Sequence, residues 1–148
     1  MVNHLSKDHS FVVFLLALAL ISVSTLAWAQ GYTINTTSNK FFGTYLVNQS
    51  GFALYYYQND STELDNSTCY GECAALWHPF YASDISLPDD LNSVDFGMIT
   101  RGDGSKQTTF KGWPLYLYSK DRFPGVTNGK DVGGGWHLVF PADQSQLL

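Results

Sequence analysis

Charge, cysteine and catalytic signatures are all scarce in this 148-residue chain. Charged residues make up only 14%, with 8 Lys and Arg against 13 Asp and Glu. The few basic residues are scattered, so no basic stripe exists to hold nucleic acid or an anionic lipid surface, and no nucleic-acid partner is expected. A phosphate-binding glycine loop, a Ser/His/acid order and metal-ligand spacings are missing, which leaves no local support for an enzyme or a cofactor. Only two cysteines occur, Cys69 and Cys73. Their Cys-x-x-x-Cys spacing, followed by Ala74, lacks the Cys-x-x-Cys of redox and haem-attachment motifs, and a closed zinc site would need further ligands nearby.

What is present begins with the apolar run Phe11 to Trp28, preceded by Lys7 and ending in the small-residue pattern Ala27-Trp28-Ala29. It reads as a secretory signal peptide over residues 1–29, cut before Gln30. An uncleaved membrane anchor is the alternative, since the run approaches the roughly 18 residues that span a bilayer, but Ser22, Ser24 and Thr25 dilute it. No cysteine stands at the cleavage point, so a lipid anchor of the bacterial kind has no attachment site. The 119 residues that follow suffice for one small domain with one core. A secreted or cell-surface location is expected. In such an oxidising compartment Cys69 and Cys73 are most simply a local disulfide, their three intervening residues suiting one helical turn. Asn-x-Ser/Thr triplets begin at Asn35, Asn48, Asn59 and Asn66. They are N-glycosylation acceptors if the organism performs that chemistry, and otherwise a Ser/Thr/Asn-rich surface.

The strongest internal signal is a repeat. Gly51-Phe-Ala-Leu-Tyr-Tyr-Tyr-Gln-Asn-Asp60 returns as Gly112-Trp-Pro-Leu-Tyr-Leu-Tyr-Ser-Lys-Asp121. Trp77-His78 then follows Asp60 at nearly the distance at which Trp136-His137 follows Asp121. Two copies of a roughly 60-residue unit are too few and too long for a solenoid. A duplicated half-domain closing one shared core fits better, because neither half alone buries enough apolar surface to offset its chain entropy.

Residues 30–40, polar and rich in Thr, Asn and Ser, read as a flexible lead-in to a domain over 41–148. A hairpin is expected from Phe41 to Val47 and Phe52 to Tyr57, with Phe52, Leu54 and Tyr56 on one face of its second strand and Ala53, Tyr55 and Tyr57 on the other. Both faces are apolar, which predicts a central strand. Thr68 is placed to cap the one plausible helix, Tyr70 to Leu76. Trp77 to Tyr81 is extended, and residues 82–94, with Pro88 and no period, link the copies. Asp95 to Thr100 and Lys106 to Lys111 form a second hairpin, followed by strands at Leu115 to Ser119 and Trp136 to Phe140. The copies span about 43–81 and 95–141. In the second, Val132-Gly-Gly-Gly135 stands where the first has Cys73-Ala-Ala-Leu76. The sum is a mainly-β fold, a small sandwich or barrel of two repeated half-domains with one short helix near the disulfide.

The motif Tyr55-Tyr56-Tyr57-Gln58-Asn59-Asp60 and its partner Tyr116-Leu117-Tyr118-Ser119-Lys120-Asp121 resemble the secreted repeats of unknown function, or predicted lipoproteins with a Tyr-x-aromatic-x-x-Asp motif. Cys69-Tyr-Gly-Glu-Cys73-Ala74 with Trp77, and Asp103-Gly104 with Gln107 before Gly112-Trp113-Pro114, carry the same resemblance from about Gly43 to Pro141. It implies an exported or surface-associated protein, sometimes found beside adhesion-type domains, and no general activity. The chain departs in lacking a lipobox cysteine and in having His78 where the family often has proline.

Tyr55, Tyr57, Tyr116 and Tyr118 with Asp60 and Asp121 are candidates for a sugar or small-ligand site, since aromatic faces stack on ligands and carboxylates accept from hydroxyls. The competing reading makes them packing residues and turn caps, duplicated with the fold. His78 and His137 follow Trp77 and Trp136, and a twofold relation would bring them together as a metal pair; with each Trp inward, each His is expected outward in solvent. For catalysis, Asp60 and Asp121 could in principle form a carboxylate pair. Arg101-Gly102-Asp103 spells an adhesion tripeptide but fits a turn pattern in which Gly102 is incidental. The expected role is a non-enzymatic structural, adhesion or surface component among other envelope or matrix components, with an extracellular binding module for a small ligand, sugar or metal as the alternative.

Overall fold

The aromatic and β-branched runs between the glycine turns form short strands. In the computed structural model, which describes residues 31–62 and 66–142, these are β1 (Ile34–Asn39), β2 (Gly43–Asn48), β3 (Tyr55–Tyr57), β4 (Trp77–Pro79), β5 (Phe96–Thr100), β6 (Lys106–Phe110), β7 (Trp113–Pro114), β8 (Tyr116–Tyr118) and β9 (Trp136–Leu138), with one helix, α1 (Glu72–Leu76), just before β4. The leader at residues 1–29 lies outside the described residues. The strands make three antiparallel sheets, β1-β2, β4-β8-β3-β9 and β5-β6-β7, and the sheets do not close into a barrel.

The four-stranded sheet explains why the repeats need one another. Its order alternates a strand of the first copy with one of the second, β8 and β3 meeting at Tyr55 opposite Tyr116. Trp77 pairs with Tyr118 and Tyr57 with Trp136, so every outer strand is held by the other copy. The flanking backbone bonds repeat the relation. Leu46 N–H donates to Val139 C=O and Leu54 N–H to Leu46 C=O, just as Thr108 N–H donates to Phe80 C=O and Leu115 N–H to Thr108 C=O. Gly51 and Gly112, which open the two motifs, both sit at φ near +80° (80° and 85°), a region that costs glycine nothing.

Alternation along β3 and β8 sends Tyr55, Tyr57, Tyr116 and Tyr118 to one face, into a cluster with Tyr45, Val47, Trp77, Trp136 and Leu138. The other face packs Tyr56 and Leu117 against Ile34, Leu46, Leu54, Phe80, Phe110, Leu115 and Val139. β3 is the central strand its two apolar faces require. At about 25 cal/mol per Å2 of apolar area, burial on both faces of one sheet is the main stabilising term of so small a domain. The disulfide between Cys69 and Cys73 is formed. Closing so short a loop contributes about 2 kcal/mol by chain entropy, so it braces the turn before α1.

Three expectations are corrected. Residues 34–39 of the expected lead-in form β1, paired along its length with β2; Ile34 is fully buried, and that apolar anchor outweighs the polar composition around it. The first hairpin is only begun, by the bridge from Val47 to Ala53, because β3 leaves β2 to pair with β8 and β9 of the other copy. Thr68 does not cap α1, whose N-cap is Gly71 without a side-chain bond; its N–H and hydroxyl both donate to Asp60.

Candidate functional site

The repeat motif builds two buried tyrosine–carboxylate pairs that cross between the copies. Tyr55 of the first copy donates its hydroxyl to Oδ2 of Asp121 at 2.6 Å, and Tyr116 of the second donates to Oδ2 of Asp60 at 2.6 Å. Each aspartate also closes its own turn, Asp60 N–H bonding Tyr57 C=O and Asp121 N–H bonding Tyr118 C=O. The remaining oxygen accepts from the next loop, Thr68 N–H on Asp60 and Asn128 N–H on Asp121, both at 2.8 Å. All four side chains are buried. Each carboxylate is spent on a tyrosine and a loop amide of its own, so the two do not form one catalytic pair.

Above the pairs runs a stack of four rings. Trp77 and Trp136 lie face to face with centroids 3.8 Å apart and 3° between planes, flanked by Tyr118 on Trp77 (4.1 Å) and Tyr57 on Trp136 (4.4 Å). Tyr55 meets Trp77 edge-on and Tyr116 meets Trp136 edge-on, which completes the twofold relation. Aromatic contacts of this kind add about 0.5–1.5 kcal/mol each beyond area burial. Gly129 is fitted beneath the stack, where a Cβ would come within 2.8 Å of both Trp77 and Tyr55.

The two pairs differ in what lies behind them. Arg101, 3% exposed, donates Nη1 to Ser67 Oγ and Gln107 Oε1, each at 2.6 Å, and Nη2 to Cys69 C=O. Because a guanidinium only donates and Tyr116 donates to Asp60, Ser67 accepts from Arg101 and donates to Tyr116 at 2.6 Å. An ordered relay, Arg101 to Ser67 to Tyr116 to Asp60, joins a buried cation to a buried anion. Tyr70 covers the guanidinium at 4.5 Å and accepts the Gly102 N–H, while Gln107 Nε2 donates to Leu115 C=O. Burial first, then the Asp60 charge, raises the Tyr116 pKa. Around Asp121 no cation takes part among the described residues. Tyr45 occupies the place equivalent to Gln107, and burial raises the Asp121 carboxyl above its usual range against the opposing bonds from Tyr55, Asn128 and Gly129. Burial and Asp121 together push the Tyr55 hydroxyl upward.

The other candidates are placed as follows. Trp77 and Trp136 are buried, with His78 exposed and His137 partly so. The histidines sit on opposite edge strands with two strands between, about 14 Å apart at ordinary strand spacing, so they are not a metal pair. His137 Nδ1 lies 3.4 Å from Asp131, and no cluster of three or more potential ligands occurs among the described residues. Arg101 is too buried for an adhesion tripeptide. Asn59 and Asn66 are exposed, whereas Asn35 and Asn48 are half-buried. Sequence reasoning read Arg101 only as part of a turn and Gln107 only as part of the family motif, and did not single out Ser67; the one visible signal was an arginine at 101 where the strand register places Asn39 in the first copy.

Residues 36–81 and 97–140 each match the family described as a secreted repeat of unknown function. The chain belongs to that family. Each match starts in the first strand of a copy and ends just past its last, so the secreted repeat is the interleaving half-domain, and the protein is extracellular. No curated protein and no solved structure matches the chain.

Proposed function

We propose that this secreted repeat protein is a non-enzymatic structural component of the cell surface or envelope, exported through the leader at residues 1–29. The observation that carries the reading is the fate of the motif. Tyr55, Tyr116, Asp60 and Asp121 satisfy one another in the interior, and Trp77 and Trp136 cover each other. Buried tyrosines and aspartates that satisfy one another maintain a scaffold and leave the outer surface to carry the contacts. The exposed Asn59 and Asn66 would carry sugar in a host that glycosylates asparagine.

The second reading, a binding module for a small ligand, sugar or metal, is favoured by one feature. A depression of about 390 Å3 lies where the copies meet, lined by Phe52, His78, Leu117, Tyr118 and Asp121 among others. Incubation of the secreted protein with its host's wall and matrix fractions, and separately with panels of sugars, metabolites and divalent metals, tests the choice. Retention by the insoluble fraction, unchanged in Phe52→Ala and His78→Ala, is the expected result. Saturable binding of a soluble ligand that both variants lose would overturn it in favour of the module.

A further inference from the structure

The copies end their sheets in equivalent places, at β1 and β5, and finish those edges differently. Along β1, Ser86 C=O accepts from Thr33 and Ile34 N–H, and the Asn35 side chain accepts the Thr36 N–H at 2.8 Å. Among the described residues, β5 lacks the side-chain acceptor that Asn35 gives to β1. Arg101 N–H bonds Ser105 C=O and Lys111 N–H bonds Asp95 C=O, which brackets the ladder with β6. Antiparallel alternation then turns Gly97 and Ile99 toward β6 and leaves the N–H and C=O of Met98 and Thr100, with the Phe96 C=O, pointing away. The Phe96 N–H is taken by Ser93 C=O. No described residue bonds the outward groups of Met98 and Thr100.

Natural sheet edges are blunted by charge, proline, bulges or a covering loop. β5 reads Phe-Gly-Met-Ile-Thr, with none of these among the described residues, and Met98 is 51% exposed. We propose that β5 is a self-association edge, through which two copies pair antiparallel about a twofold axis at Met98. The strand is complementary to itself in that register. Each Met98 N–H meets the other copy's Met98 C=O, each Thr100 N–H meets the other's Phe96 C=O, and the two methionines lie side by side with no like charges opposed. Because pairing about a twofold axis uses each β5 edge once, addition through this edge stops at two copies and does not propagate into a fibre. A five-residue strand buries less than a standard interface, so the dimer is weak and concentration-dependent. The proposal rests on this edge alone, and its test is independent of envelope retention or ligand binding.

Sedimentation of protein recovered from the medium of cells expressing the full chain, from about 1 μM to about 1 mM, should give a mass rising toward twice the monomer. Met98→Lys and Met98→Glu place like charges across the axis and should each move the midpoint at least about tenfold higher. Ser38→Lys, on exposed β1 surface, should leave it in place; circular dichroism checks that each variant is folded. A monomer at every concentration, or a dimer indifferent to both Met98 variants, would overturn the assignment.

Discussion

Asp60 and Asp121 occupy equivalent turns, receive equivalent tyrosines and accept from equivalent loop amides, yet among the described residues only Asp60 is joined to a cation. Its charge is met through Tyr116 and Ser67 by Arg101, whose guanidinium is itself held by Gln107 and the carbonyl of disulfide-bonded Cys69. At Asp121 the corresponding volume is filled by Tyr45, with Phe42 tilted against it at 5.6 Å, and burial is answered by a raised carboxyl pKa. Duplication thus fixes the exchange of tyrosines between copies, because the interleaved sheet fails without both. What stands behind each carboxylate is free to diverge into a charged network or an aromatic filling.

The comparison breaks most visibly at Arg101. Arg101→Leu strands Ser67, Gln107 and the Asp60 charge, and should cost about 3–5 kcal/mol in urea unfolding, whereas Lys40→Leu in the equivalent turn should change stability by less than about 0.5 kcal/mol. Equal effects would show that the relay does not distinguish the halves. A smaller contrast is expected between the tyrosines. Tyr116→Phe cuts a chain between two charges and should cost about 2–3 kcal/mol, against about 1 kcal/mol for Tyr55→Phe, measured in the same way. The reverse order would make Asp121 the more demanding site.

The smallest effect is on pH dependence. Since burial lifts the Asp121 carboxyl above its ordinary 3.8, the folded protein keeps a proton that the unfolded chain releases just above that pH. This group's stabilisation is therefore complete below the unfolded value and declines as pH rises through the folded one. Asp121→Asn should flatten that decline, read from urea midpoints between about pH 3.5 and pH 6. An unchanged slope would mean that the bonds from Tyr55 and the loop amides outweigh burial.

Much of this was legible beforehand. The two-residue period of Phe52 to Tyr57 placed Tyr55 and Tyr57 on one face, the repeat announced two equivalent halves, and the cysteine spacing announced the bridge. Ile34 was not legible, because a single apolar residue in a polar stretch gives no period; its burial comes from Leu46, Leu54 and the other chain segments that surround it. Thr68 carried a helix-capping signature, and the Asp60 carboxylate offered its N–H and hydroxyl a nearer partner.

By itself, the sequence determined the duplication, the mainly-β class, the disulfide and the placing of tyrosines, tryptophans and aspartates at one spacing in each copy. Those are local properties, readable from period and identity. Which aspartate each tyrosine reaches was decided only by the tertiary structure, as were the stacking of Trp77 on Trp136 and the carriage of a buried cation by one half alone. The reason is physical: the tyrosine–aspartate contacts join residues 56 and 66 positions apart, and they exist only where the strand order interleaves the copies.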